Sequence, residues 1–112
     1  MKTYKFDLKR KGRVLGFSTG DTNISIATSE PNHIDPFPHF HSFSDEFYIT
    51  LSGVGIIRIN DERYLLRPDK IIKIEKNEIH QIIGVYKHEK YCDFIHISIK
   101  VPDEKDDKVI VK

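Results

Sequence analysis

Cysteine is all but missing: Cys92 is the only one in 112 residues, so no disulfide can close within the chain. An excess of charge is missing too. Eighteen Lys and Arg side chains face seventeen Asp and Glu, for a formal net charge of +1. That balance supplies no field that would draw the chain to nucleic acid or an anionic membrane. The single basic cluster, Lys9-Arg10-Lys11, lies between two apolar-periodic stretches and reads as a solvated turn. No apolar run approaches the length of a membrane span. The start, MKTYKFDLKRKG, lacks the apolar core of a secretion signal. These absences set the expectation of a cytoplasmic protein with no nucleic-acid and no membrane partner. Partners must then be argued from a site.

Helical periodicity is also scarce. No window longer than about ten residues keeps apolar side chains at 3.6-residue spacing between a cap and a stop. What the chain has instead is short β-branched and aromatic runs. They span 4–8, 13–18, 23–28, 46–52, 55–60, 63–66, 70–74, 81–85 and 91–101. Turn formers separate them: Gly20-Asp21, Pro31-Asn32, Ser52-Gly53, Asn60-Asp61, Pro68-Asp69 and Lys76-Asn77. Strands this close together cannot be parallel neighbours, because each crossover takes a dozen residues or more. An all-β, antiparallel sandwich or barrel follows. In the last long run Ile95, Ile97 and Ile99 share one face, while Phe94, His96 and Ser98 share the other. We expect one domain over residues 1–101, followed by a charged tail, 102–112, in which Val109-Ile110-Val111 could add a strand to a neighbouring subunit.

The chemistry concentrates in PHFHSFSDEFYITLSG, residues 38–53. Residues i and i+2 of a strand point the same way, so His39 and His41 present two imidazoles side by side. Glu46 follows a connection, Ser42 to Asp45, long enough to reverse the chain and return a carboxylate to the same pocket. His80, at the head of the 81–85 run, is a fourth candidate. Three neutral nitrogens and a carboxylate suit a divalent first-row metal, and a six-coordinate ion held this way keeps two positions open. A lone histidine is usually a surface or satisfied core residue; it is the joint pattern that argues for a ligand set.

Tyr48 and Thr50 share parity with Glu46 and should line the same pocket, which makes Tyr48 the best candidate outside the ligands for touching substrate. A tyrosine that only fills the barrel is the structural alternative. His96 shares a face with Cys92 and Phe94 and could support the ligands or carry a proton, or be a hydrogen-bonded core histidine. Cys92 and His96 lie about 13 Å apart at strand rise, too far for a nucleophile and its base. Arg58, Tyr64 and Arg67 could orient an anionic substrate. His33 and His88 fall in turns and read as exposed.

At these residues the sequence resembles the cupins, small jelly-roll barrels that hold a metal inside. Their first motif runs glycine, five residues, His-x-His, three or four residues, Glu, six residues, Gly. Residues 33–53 fit it through His39, His41, Glu46 and Gly53, with His33 at the opening glycine. Their second motif, Pro-x-Gly-x-x-His-x-x-x-Asn, falls on residues 75–84, where His80 is kept and the other positions read Glu75, Asn77 and Gly84. Asn77 substitutes for glycine because both accept positive φ.

The resemblance covers roughly residues 30 to 100 and implies a double-stranded β-helix fold, with His39, His41, Glu46 and His80 as ligands to one divalent metal: Fe, Mn, Zn, Ni, Co or Cu. It also implies a frequent homodimer. Such a site supports isomerisation, epimerisation or decarboxylation of a sugar or keto-acid type of substrate, or a dioxygenase reaction. The competing class is a non-catalytic barrel that binds or senses a small ligand.

Overall fold

A computed structural model of the protein describes residues 1–29, 35–86 and 93–112. His33, His88 and Cys92, and with them the expectations attached to those residues, lie outside the described set. Ten strands account for the regular structure: β1 (Gly12–Ser18), β2 (Asn23–Ser29), β3 (His39–His41), β4 (Asp45–Ser52), β5 (Gly55–Ile59), β6 (Glu62–Leu66), β7 (Ile71–Ile74), β8 (His80–Val85), β9 (Phe94–Val101) and β10 (Lys108–Ile110). No helix occurs among the described residues. All strand pairs are antiparallel, in two five-stranded sheets ordered β1-β2-β9-β4-β7 and β10-β3-β8-β5-β6. This is the all-β antiparallel architecture that the short, closely spaced runs imply, in the double-stranded β-helix form that the resemblance implies.

Turn chemistry sets where the chain reverses. Asn60 adopts φ 54° in the β5–β6 hairpin, Gly53 φ 72° between β4 and β5, and Asn77 φ 70° ahead of β8. Asn77 therefore does occupy the left-handed region that its place in the second motif requires. Its backbone N–H donates to the carbonyl of His41 at 2.8 Å, which ties the approach to β8 to β3.

The apolar core is one-sided. Tyr48, Ile57, Leu66, Ile72, Ile74, Ile82 and Phe94 pack together, with Ile59 and Val85 against them. They fill the half of the barrel enclosed by β4 to β9, where burial of alternate side chains supplies the driving force. Gly55 matters here: a Cβ at that position would sit 2.7 Å from the Phe94 ring. The other half, facing β1, β2, β3 and β10, is lined by polar and charged side chains around an open cavity.

Three expectations change. Residues 4–8 form no strand; Tyr4 stacks on Phe17 of β1 at 4.4 Å instead, and Phe6 and Leu8 are exposed. The connection from His41 to Asp45 is no hairpin: it carries the chain from one sheet to the other, so Glu46 meets the imidazoles across the barrel rather than from an adjacent strand. Finally, β10 pairs within its own chain, along β3, with Lys108 opposite His41 and Ile110 opposite His39. The stretch before it is held down by Ser44 Oγ donating to the Pro102 carbonyl at 2.6 Å, and by Ser42 N donating to the Asp107 carbonyl at 3.0 Å. Within the charged tail, Asp107 is buried with its partners and anchors the segment.

Candidate metal centre

The local folding of β3, β4 and β8 decides where four side chains meet. On β3 the alternation is buried, half-buried, buried, so His39 and His41 both face inward and Phe40 does not. On β4 the inward set is Glu46, Tyr48 and Thr50. His80 opens β8 and pairs in register with His39, which brings their ring centroids to 4.3 Å. The potential ligand atoms of His39, His41, Glu46 and His80 all lie within 4.8 Å of one another, and all four residues are buried. The cluster could hold a metal ion.

Each ring is oriented through Nδ1. His39 Nδ1 lies 3.3 Å from the Phe37 carbonyl, His80 Nδ1 lies 3.0 Å from the Glu78 carbonyl, and His41 Nδ1 lies 3.0 Å from Asp107 Oδ1. Such contacts fix the tautomer with the proton on Nδ1 and leave Nε2 as the free donor. His80 Nε2 and His41 Nε2 approach Glu46 Oε1 at 3.1 and 3.7 Å. The second oxygen of Glu46 accepts a hydrogen bond from Ser98 Oγ at 2.7 Å. The donor set thus fits a first-row metal in type and in support.

Electrostatics act differently on His39, Glu46 and His80. Burial, reinforced by the charge of His80, lowers His39 to about 4, so its imidazole is neutral and ready to ligate at any ordinary pH. Burial alone would raise Glu46, but the hydrogen bond and charge of His80, with help from Ser98 and His41, outweigh it and hold the carboxyl at about 2. Burial likewise pushes His80 down, and Glu46 more than reverses that, so His80 titrates above its ordinary value. In the metal-free protein His80 and Glu46 therefore form an ion pair whose proton a metal would displace.

The cluster opens on a cavity of about 370 Å³ that His39, His41 and Glu46 share with Tyr48, His96 and Ser98. Tyr48 and His96 come together there, ring centroids 5.4 Å apart. Burial first, then the charges of Glu46 and Asp35 and a hydrogen bond with Glu46, raise the Tyr48 phenol well above its ordinary value, so it keeps its proton. His96 is buried against Phe94, 4.8 Å away.

Arg58, Tyr64 and Arg67 are not brought to this cavity. Arg58 lines a separate one with Asn60 and Asp61, the Tyr64 hydroxyl donates to Glu62 at 2.8 Å, and Arg67 pairs with Asp69 at 3.0 Å. The cations at the cavity are Arg13, Lys100 and Lys108, which sequence reasoning passed over. Asp107 was missed as well, and no local pattern marks it. Ser98 carried a signal, since it shares strand parity with His96.

Residues 25–97 match the family model described as Cupin domain. A search of curated proteins returns no match. Among solved structures, a cupin protein from Bacteroides fragilis is similar at 24% identity and TM-score 0.71, covering 94% of this chain and 89% of that one. A protein with a double-stranded β-helix domain from Klebsiella pneumoniae is similar at 15% identity and TM-score 0.74, covering 88% and 77%. A variant of PAC13 from Streptomyces, solved with uridine, is similar at 17% identity and TM-score 0.68, covering 100% and 93%. At these identities the likeness to solved structures is one of fold.

Proposed function

The chain belongs to the cupin domain family, and from that premise we propose that it is an enzyme that holds one divalent first-row metal through His39, His41, Glu46 and His80 and acts on an oxygen-rich small molecule. The observation that carries the proposal is that three of the four clustered ligand candidates, His39, His41 and Glu46, line the cavity, with His80 in the same cluster behind them. A purely structural site would be closed by protein ligands, whereas this one adjoins space for a substrate. When bound, the metal would supply Lewis-acid polarisation of a carbonyl or hydroxyl oxygen.

The remaining tasks fall to the chain's own residues. Ser98 holds Glu46 in place, and Asp107 holds His41. Tyr48 keeps its proton and can donate it, or a hydrogen bond, to a substrate oxygen at the inner end of the cavity. His96 beside it offers a second titratable group for moving a proton. These parts suit isomerisation, epimerisation or decarboxylation of a sugar or keto acid. A dioxygenase reaction uses the same ligands around Fe(II).

Cobalt-loaded protein provides the test. Addition of pyruvate or another small chelating keto acid should change its visible absorption, because open positions exchange solvent for substrate oxygen. A turnover screen of sugars and keto acids with each metal, with and without oxygen, then separates the reaction classes. A cobalt spectrum indifferent to every chelating ligand would refute an open site.

A further inference from the structure

Resting on the reading of this cavity as a substrate site, we infer that its outer end is an anion-recognition site built by Arg13 with Lys108, so that the ligand is an oxygen-rich acid: a carboxylate or a phosphate ester. Three features of the fold place Arg13. The β1–β2 register shifts between Arg13 and Leu15, an irregularity of the kind that re-aims a side chain. The arginine then runs forward along its own strand over Gly16, so closely that a Cβ at that position would lie 2.5 Å from Arg13 Nε. Its Nη2 donates to Asn23 Oδ1 at 3.2 Å. A neutral amide orients the guanidinium and leaves its charge uncompensated.

The other two cations at the cavity differ from each other. Lys100 is already committed, with Nζ 3.2 Å from Asp107 Oδ1, 3.1 Å from the Glu104 carbonyl and 3.9 Å from Asp103. Lys108, in register with His41 across β10 and β3, has no ion-pair partner among the described residues. The lining carboxylates are Asp35 and Glu46. Glu46 belongs to the metal cluster, and Asp35 Oδ2 accepts the backbone N–H of Ile82 at 2.9 Å. With a divalent ion in the cluster, the cavity as a whole is positive and favours an anion.

The register also gives a length. Asn23 pairs with Lys100 on β9, and Lys100 pairs with Glu46 on β4, so the three stand in one row across the sheet. Two strand spacings separate Asn23 from Glu46, about 10 Å. A ligand that binds at the metal through oxygens and reaches Arg13 therefore carries its anionic group at the far end of a short polar chain. Asn23, Ser25 and Ser98 offer hydrogen-bonding groups along the way.

Calorimetric titration of zinc-loaded protein with ribose 5-phosphate against ribose, and with glucuronate against glucose, tests the inference and separates phosphate from carboxylate. At least one acid should bind about tenfold or more tightly than its neutral parent, the ratio expected of charge-assisted hydrogen bonds to a guanidinium. Arg13→Gln should abolish that ratio at unchanged zinc content. Gly16→Ala, which keeps the charge but evicts the guanidinium, should do the same. Equal binding of acids and parents, no binding of either acid, or a ratio that survives both substitutions would overturn the inference. Repeating the titrations on chelator-stripped protein isolates the premise: an Arg13-dependent preference there stands even if the metal reading fails, and metal binding with no such preference leaves that reading intact.

Discussion

Replacing Asp107 by alanine should weaken metal binding by about 10–100-fold, the usual effect of removing a carboxylate that orients a ligating histidine. The magnitude follows from what the side chain touches. Asp107 is 1% exposed, and its Oδ1 lies 3.0 Å from His41 Nδ1 and 3.2 Å from Lys100 Nζ. Hydrogen bonds and charge outweigh burial and keep its carboxyl below the ordinary value, so an anion faces the imidazole. Truncation leaves the buried His41 N–H without its acceptor and the imidazole without the carboxylate that orients it. Lys100 keeps the Glu104 carbonyl at 3.1 Å, so the loss falls mainly on the histidine. The expected change in metal affinity equals about 1.4–2.7 kcal/mol, with a comparable cost of about 1–3 kcal/mol to the metal-free fold. Competition against a zinc chelator measures the first and denaturant unfolding of stripped protein the second. A zinc affinity within twofold of wild type in a folded Asp107→Ala protein would refute the role given to this residue.

Gly55→Ala should destabilise the barrel by about 1–3 kcal/mol, because its Cβ would meet the Phe94 ring at 2.7 Å and Phe94 is fully buried; an unchanged Tm would contradict the packing described. In the chelator-stripped protein stability should peak near neutrality. His39 titrates at about 4 against an ordinary 6.5, so the folded state binds fewer protons and its contribution is lost as pH falls from 6.5 towards 4. Glu46, at about 2 against 4.5, extends that loss further into acid. His80 is raised, so its contribution is complete below 6.5 and fades as pH rises through its folded value. Zinc displaces the His80 proton, so the Tm difference between loaded and stripped protein should widen from pH 6 to pH 8; a constant difference would count against His80 as a ligand.

Much of the barrel is legible in the sequence because strand alternation and turn residues are local signals. The runs that became β2 and β4 to β9 carry both, and the inward parity of Glu46, Tyr48 and Thr50 follows from it. The His-x-His pair is legible for the same reason. Long-range packing is not. Val109 to Val111 reads as a possible strand, but its partner does not: β10, Lys108–Ile110, pairs along β3 of its own chain, a contact that no local signal announces. Residues 4–8 have the alternation of a strand but form none, and the Tyr4 ring meets β1 by stacking on Phe17. Arg13 reaches the cavity through a register shift and a glycine three residues on, a combination invisible to periodicity. Arg58 and Arg67, the arginines the sequence offered for an anionic substrate, lie instead beside Asn60 and Asp61 and against Asp69.

Metal content decides the central claim most directly. Protein purified without an affinity tag should carry about one first-row metal per chain by mass spectrometric elemental analysis, and His41→Ala should lose most of it while retaining the β-sheet circular dichroism of wild type. Equal metal content in the wild type and in folded His41→Ala protein would contradict the assignment of His39, His41, Glu46 and His80 as the metal site.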